Sequence, residues 1–207
     1  MLLSNFLTGR TCDTPESHPS ILRSICSIIG SIIRLRRDLV TSTLPHLVII
    51  LRLALHTVCA PRPQLGTRQL ALVTDTQPWW ISPTSPLGVS EAKNVARLLT
   101  ALQAKTTPRT FVEKTKAKER TAESLLAPFS KHAASVISAY LGDLADPLLS
   151  IPTNVREALA PGMYALCESI GELGRNALMA WTSDPSGKAA LKSLWHDYEK
   201  QRYVGKG

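Results

Sequence analysis

Aliphatic residues recur at intervals of three and four positions along most of the sequence from Ile21 onward, which is the spacing of one face of an α-helix. The first such stretch carries a broad apolar stripe, formed by Ile21, Leu22, Ile25, Cys26, Ile28, Ile29, Ile32 and Ile33. Aromatic residues make up only 5% of the chain, and no two segments carry the pattern of paired strands. We therefore predict an all-α fold, with antiparallel helical hairpins packed as an irregular bundle or a short α-solenoid-like array.

The next apolar stretch predicts a second helix that pairs with the first as an antiparallel hairpin. Three arginines mark the solvent-facing end of the first helix: Arg34, Arg36 and Arg37. Thr43 is the predicted cap of the second helix, and Pro45 falls in its first turn, where a missing N–H costs nothing. Residues 47–60 are the most apolar in the chain but are fewer than the roughly 20 that a membrane-spanning helix needs. They predict a buried helix.

Several prolines interrupt the chain between the end of the second predicted helix and Gly88. This stretch is predicted to be an ordered connector. Trp79 and Trp80 are large side chains for an idle loop, so we expect at least one of them to anchor the connector to the core. The alternative is a pair of exposed rings that stack on nucleic acid. Ser90 is the predicted cap of a third, amphipathic helix.

The second half of the sequence predicts further helices separated by proline and glycine. Helical spacing runs from Leu125 to near Gly142, and Pro147 and Pro152 break the chain after it. Pro161 and Gly162 are predicted to precede another helix. A short following helix carries the predicted inward residues Leu173, Ala177, Leu178 and Trp181.

The last helix has the clearest predicted beginning. Asp184 suits the cap, and Pro185 suits the first helical position. Its predicted inward residues are Leu191, Leu194, Trp195 and Tyr198.

The predicted domain organisation follows from where the helical pattern is missing. Residues 1–19 predict a loose leader, and residues 20–207 predict one helical domain with a basic linker near residues 105–120. A chain of 207 residues is long enough to bury one substantial core or two modest ones.

The chain is basic, with 24 Lys and Arg residues against 16 Asp and Glu residues and a formal charge of +8. Such a charge favours salt-sensitive attraction to RNA or acidic partners, and general solubility explains it equally. The candidate contacts lie in the linker and the tail: Lys105, Arg109, Lys114, Lys116, Lys118, Arg120, Lys200, Arg202 and Lys206. The competing interpretation is that the linker is flexible and merely solvated.

No motif for catalysis, cofactor binding or metal binding is complete. A P-loop needs a glycine where Thr182 stands, five residues before Gly187, and the five histidines lie on different elements. The four cysteines have no C-x-x-C spacing and no neighbouring histidine pattern, which favours reduced, buried thiols over zinc or disulfide frameworks. We therefore expect no enzymatic activity, cofactor, metal or small-molecule substrate.

Several short words occur in a characteristic order. They are Arg36-Arg37-Asp38-Leu39-Val40, Ala60-Pro61-Arg62-Pro63-Gln64-Leu65-Gly66, Ala96-Arg97-Leu98-Leu99-Thr100, Pro128-Phe129-Ser130-Lys131-His132-Ala133, Pro161-Gly162-Met163-Tyr164-Ala165-Leu166 and the closing residues 190–207. Together they resemble the C-terminal domain of the nucleolar pre-rRNA-processing family of the unhealthy ribosome biogenesis protein 2 type. The resemblance covers roughly residue 21 to the end.

This resemblance implies a non-enzymatic scaffold in the nucleus and nucleolus, inside early large-subunit (pre-60S) particles. Its implied partners are ribosome assembly factors and pre-rRNA, with no membrane and no catalytic residues. Family members carry a helical-repeat body ahead of this domain, so a chain of this length would be a fragment, a truncated gene model or a shortened relative. The leading hypothesis is a protein docking module, and the alternative is a basic helical module that contacts pre-rRNA phosphates directly.

Overall fold

The computed structural model describes residues 18–104 and 125–204. Their elements, in chain order, are α1 (His18–Leu35), α2 (Arg37–Ser42), α3 (Leu44–Thr57), β1 (Ala60–Pro61), α4 (Thr67–Thr76), α5 (Val89–Thr100), α6 (Leu126–Ala145), β2 (Leu149–Ser150), α7 (Thr153–Trp181) and α8 (Pro185–Val204). The predicted all-α fold is confirmed. Most of the predicted leader, and the basic linker, lie outside the described residues.

Helices α5 and α7 form the centre of the body and contact each other extensively. Gly162 on α7 permits their close approach, because a Cβ there would lie 2.8 Å from the Cα of Ala96 on α5. Helix α1 packs on α5, α3 packs on α6, and α8 contacts both α6 and α7. The predicted hairpin of α1 with α3 is therefore wrong, since apolar spacing shows which face is buried but not which partner covers it.

Apolar side chains from all the long helices form one hydrophobic cluster. Trp80 is fully buried in this cluster and Trp79 is half-buried against it, so the predicted anchoring of the connector is confirmed. The connector also contains α4, which the sequence did not predict, because Val73 is its only buried residue and leaves no apolar stripe. Among the described helices, none combines the length and hydropathy that crossing a bilayer requires.

Strands β1 and β2 pair antiparallel, with Ala60 opposite Ser150 and Pro61 opposite Leu149. Arg62 continues the junction, since its backbone N–H donates to the Leu148 carbonyl at 3.1 Å. The expectation of no strand pair is wrong at this one place. A strand of two residues is too short to show an alternating pattern.

The prediction that Pro161 and Gly162 precede a helix is wrong, because both residues lie inside α7. Proline in a helix interior removes one backbone hydrogen bond, and here the buried side chains on either side outweigh that loss. The backbone instead departs from helical geometry at Gly171, where φ is 61° and ψ is −169°. Beyond that departure Leu178 is buried, whereas Leu173 and Trp181 are 87% and 85% exposed, contrary to the prediction.

The three predicted helix caps have different outcomes. Thr43 occupies the cap position of α3 as predicted, but its hydroxyl donates backward to the Leu39 carbonyl at 2.8 Å and makes no capping bond. Helix α5 is capped at Gly88, whose N–H donates to the Glu91 carboxylate at 3.0 Å, and not at Ser90. Asp184 caps α8 as predicted, accepting from the Gly187 N–H at 2.7 Å.

Candidate functional site

Only two of the predicted contact residues fall on described parts of the chain. Lys200 and Arg202 are exposed on the last turns of α8. Two residues apart on a helix, they point to different sides and form no shared basic face. The remaining predicted contacts lie outside the described residues: Lys105, Arg109, Lys114, Lys116, Lys118, Arg120 and Lys206.

A basic groove runs between α1 and α5, with a volume of about 310 Å³. Arg23 and Arg34 line it from α1, and Arg97 and Asn94 line it from α5. The Nε of Arg34 donates to the Gly30 carbonyl at 3.1 Å, which holds this side chain along the helix. Within the described part of the chain, none of the residues that line the groove is acidic. We call this surface the arginine groove.

The arginine groove has the chemistry of an anion site. A guanidinium carries a permanent charge and a planar set of donors that match the oxygens of phosphate or carboxylate. Cys26 lies in the same groove, and burial raises the pKa of its thiol to about 11, so this side chain is neutral at pH 7. The groove therefore offers cations and hydrogen-bond donors beside a neutral thiol.

Sequence reasoning missed the arginine groove, although part of its signal is present. Arg23 and Arg34 are eleven residues apart, close to three full helical turns, so they share a side of α1. Arg97 joins them only because α1 packs against α5, and nothing in the sequence indicates that pairing.

A different side of α1 carries exposed apolar side chains at helical spacing, and one more exposed apolar side chain lies on α2. Ile28, Ile32, Leu35 and Leu39 are 50%, 39%, 61% and 48% exposed. The prediction that Ile28 and Ile32 belong to the buried stripe is therefore wrong, since the core takes up a narrower face of the helix. We call these four residues the apolar row.

Arg37 is buried, contrary to the prediction that it marks a solvent-facing helix end. Its guanidinium donates a hydrogen bond to the Ala104 carbonyl, beyond the end of α5. An arginine stem can pack against apolar neighbours while its head group finds acceptors, which accounts for this burial. The contact joins α2 to the segment after α5.

A second cluster of polar groups lies where α3 ends against α6. His56 Nδ1 is 2.9 Å from Asp143 Oδ1, and His56 Nε2 is 3.2 Å from the Thr76 hydroxyl. Cys59 is buried beside them, and its thiol is directed at the Leu55 carbonyl, 3.6 Å from Sγ. Burial, followed by the charge of Asp143, raises the pKa of the Cys59 thiol. We expected no histidine pattern beside a cysteine, but His56 lies three residues before Cys59 in the sequence.

The model of a family described as the Urb2/Npa2 family matches residues 1–206. Searches of curated proteins and of solved structures return no match to this chain.

Proposed function

The chain belongs to the Urb2/Npa2 family of nucleolar ribosome biogenesis factors, and from that premise we propose that its helical body is a non-enzymatic docking module. The partners that we propose are assembly factors of the large-subunit precursor particle, the pre-60S particle. Nucleolar localisation of this chain is part of the same proposal.

The observation that carries this proposal is the apolar row on α1 and α2. Its four large side chains are exposed although the body already buries a continuous core. Contiguous exposed apolar surface on a folded domain marks an interaction site, because covering it removes unfavourable contact with water. A partner that covers the row gains the free energy of removing this apolar surface from water, and the core need not rearrange.

Charge placed in the apolar row is expected to separate docking from folding. The double variant Ile28→Glu/Leu35→Glu should keep the helical circular dichroism and melting temperature of the parent chain, since both side chains are half exposed or more. Its recovery with tagged pre-60S particles should fall at least tenfold, because a buried, unpaired carboxylate opposes association. Quantitative mass spectrometry of the purified particles measures this recovery.

The matched control is Ile49→Glu/Leu72→Glu, which places two carboxylates at exposed apolar positions on α3 and α4. This variant should be recovered with particles as efficiently as the parent chain. Equal losses from the two double variants would count against the apolar row, as would full recovery of the first.

A second candidate function is direct contact with pre-rRNA phosphates, which the arginine groove favours. Three guanidinium groups from two helices face one groove whose lining contains no acid in the described part of the chain. Contacts of this kind position a protein on RNA without reading its sequence. The six cations proposed for the linker, and those of the tail, would extend the same phosphate-binding function.

The salt dependence of RNA affinity tests this second function. Replacing Arg23, Arg34 and Arg97 with Gln should flatten the plot of log affinity against log salt by about 0.7 per lost contact on single-stranded RNA. Replacing Arg52, Arg68 and Lys131, which are exposed outside the groove, removes the same charge. This variant should keep a steeper slope than the groove variant. Identical slopes for the two triple variants would assign the attraction to net charge alone. A third variant, in which the six linker cations are replaced in the same way, measures how much they contribute to the salt dependence of RNA affinity.

A further inference from the structure

We propose that His56, Cys59 and Asp143 form a binding site for a divalent transition-metal ion of the zinc class. The three side chains offer ligand atoms that all lie within 4.8 Å of one another. They come from two parts of the fold, since His56 lies in the last turn of α3, Cys59 follows that helix, and Asp143 lies on α6.

The donor set selects the class of ion. Imidazole nitrogen, thiolate sulfur and carboxylate oxygen are the three donors that Zn²⁺ accepts, at bond lengths of about 2.0–2.3 Å. Ca²⁺ and Mg²⁺ prefer oxygen donors throughout, so the sulfur of Cys59 disfavours both of them. The site is thereby distinct from the arginine groove, which attracts anions.

The geometry requires only a small rearrangement around an ion. Tetrahedral coordination with these bond lengths separates the ligand atoms by about 3.5 Å, and the present separations reach no more than 4.8 Å. His56 Nδ1 and Asp143 Oδ1 lie 2.9 Å apart, so an ion enters by replacing the hydrogen bond between them and moving the two atoms slightly apart. Three protein ligands leave the fourth position to a water molecule.

The surroundings support His56 as a ligand. When Nδ1 binds the ion, the other ring nitrogen carries a proton, and the Thr76 hydroxyl stands 3.2 Å from Nε2 to accept it. A metal-bound histidine usually has such an outer partner, which fixes the orientation of the ring. Thr76 belongs to α4, so the proposed site draws α3, α4 and α6 together.

The position in the fold indicates what the ion would do. Cys59 immediately precedes Ala60, which pairs with Ser150 across the short sheet. Coordination would therefore fasten the end of α3 to α6 beside the junction that β1 and β2 already make. The expected effect is to raise the stability of the folded chain when the ion is present.

Titration of the full chain with Co²⁺ alone tests the proposal, because Co²⁺ substitutes for Zn²⁺ and absorbs light when bound to a thiolate. We expect a thiolate-to-cobalt absorption band that saturates at one equivalent and disappears on addition of Zn²⁺. The band should be lost in Cys59→Ala and retained in Cys167→Ala, which removes another buried cysteine. Asp143→Asn should weaken Co²⁺ binding at least tenfold.

A second variant keeps the test decisive if Cys59→Ala fails to fold. His56→Gln leaves a half-buried polar side chain in place, and it should lower Co²⁺ affinity and abolish the rise in melting temperature that Zn²⁺ produces. Absence of the absorption band in the parent chain would overturn the proposal. So would undiminished Co²⁺ binding in His56→Gln, or a band that depends on Cys167.

Discussion

Trp195 and Trp181 show at the level of single residues how environment decides the role of a side chain. Trp195 is 4% exposed, donates from Nε1 to Glu199 at 2.9 Å, and lies beneath the guanidinium of Arg175 at 5.4 Å from the ring centre. Trp181 is 85% exposed. Both were predicted to face inward, and only Trp195 does.

Substitution of the two tryptophans should therefore have very different effects. Trp195→Ala removes a buried ring and should lower the free energy of unfolding by about 3–5 kcal/mol. Trp181→Ala should change it by less than about 0.5 kcal/mol, since the ring is in water in both states. Urea denaturation followed by circular dichroism measures both. A loss below about 1 kcal/mol for Trp195→Ala would mean that the inner face of α8 has been misidentified.

At the level of elements, the contact of α5 with α7 depends on the missing side chain of Gly162. A Cβ there meets the Cα of Ala96 at 2.8 Å and Leu99 Cδ1 at 2.9 Å. The first of these atoms is backbone, so the helices must separate to accommodate a methyl group. The close contact of the two central helices therefore rests on one glycine.

Gly162→Ala should destabilise the chain by about 1–3 kcal/mol, because overpacking forces the backbones apart. Gly142→Ala provides the control, since a Cβ at that helical position has no neighbour within 4 Å. It should stabilise the chain by about 0.4–1 kcal/mol through the lower flexibility of alanine in the unfolded state. Thermal unfolding of both variants checks the difference, and equal effects would contradict the described packing.

The helices themselves could be predicted from the sequence where one face is strongly apolar. Phe129, Val136 and Ile137 on α6 are buried as their spacing indicated, and Asp184 caps α8 as its position before a proline indicated. Helix α4 could not be predicted, because a helix that buries one side chain carries no apolar stripe. The interior position of Pro161 could not be predicted either, since local preference alone does not include the packing of its neighbours.

Much less of the candidate sites could be predicted, because each combines distant parts of the chain. The shared side of Arg23 and Arg34 follows from helical spacing, whereas Arg97 requires knowledge that α1 packs on α5. His56 and Cys59 are close in the sequence, but Asp143 reaches them only through the contact of α3 with α6. Hydrophobic periodicity shows which face of a helix is buried, but it does not show which other helix packs against that face.

At the level of the whole molecule, α1 separates two surfaces of different chemistry. The arginine groove lies on the flank where α1 meets α5, and the apolar row lies on a different side. Under the proposed function, a protein partner on the row and an anionic partner in the groove would contact different sides of α1. This arrangement is the physical basis for proposing a docking module within a particle of protein and RNA.

Site-specific photo-crosslinking in purified pre-60S particles tests the docking proposal most directly. A photoreactive amino acid at Ser24, which is exposed one helical turn before Ile28, should form crosslinks to ribosome assembly factors. The same group at Leu72 on α4 should form few or none. Crosslinks to assembly factors from Leu72 but not from Ser24, or crosslinks from Ser24 to RNA alone, would contradict the proposed role of the apolar row.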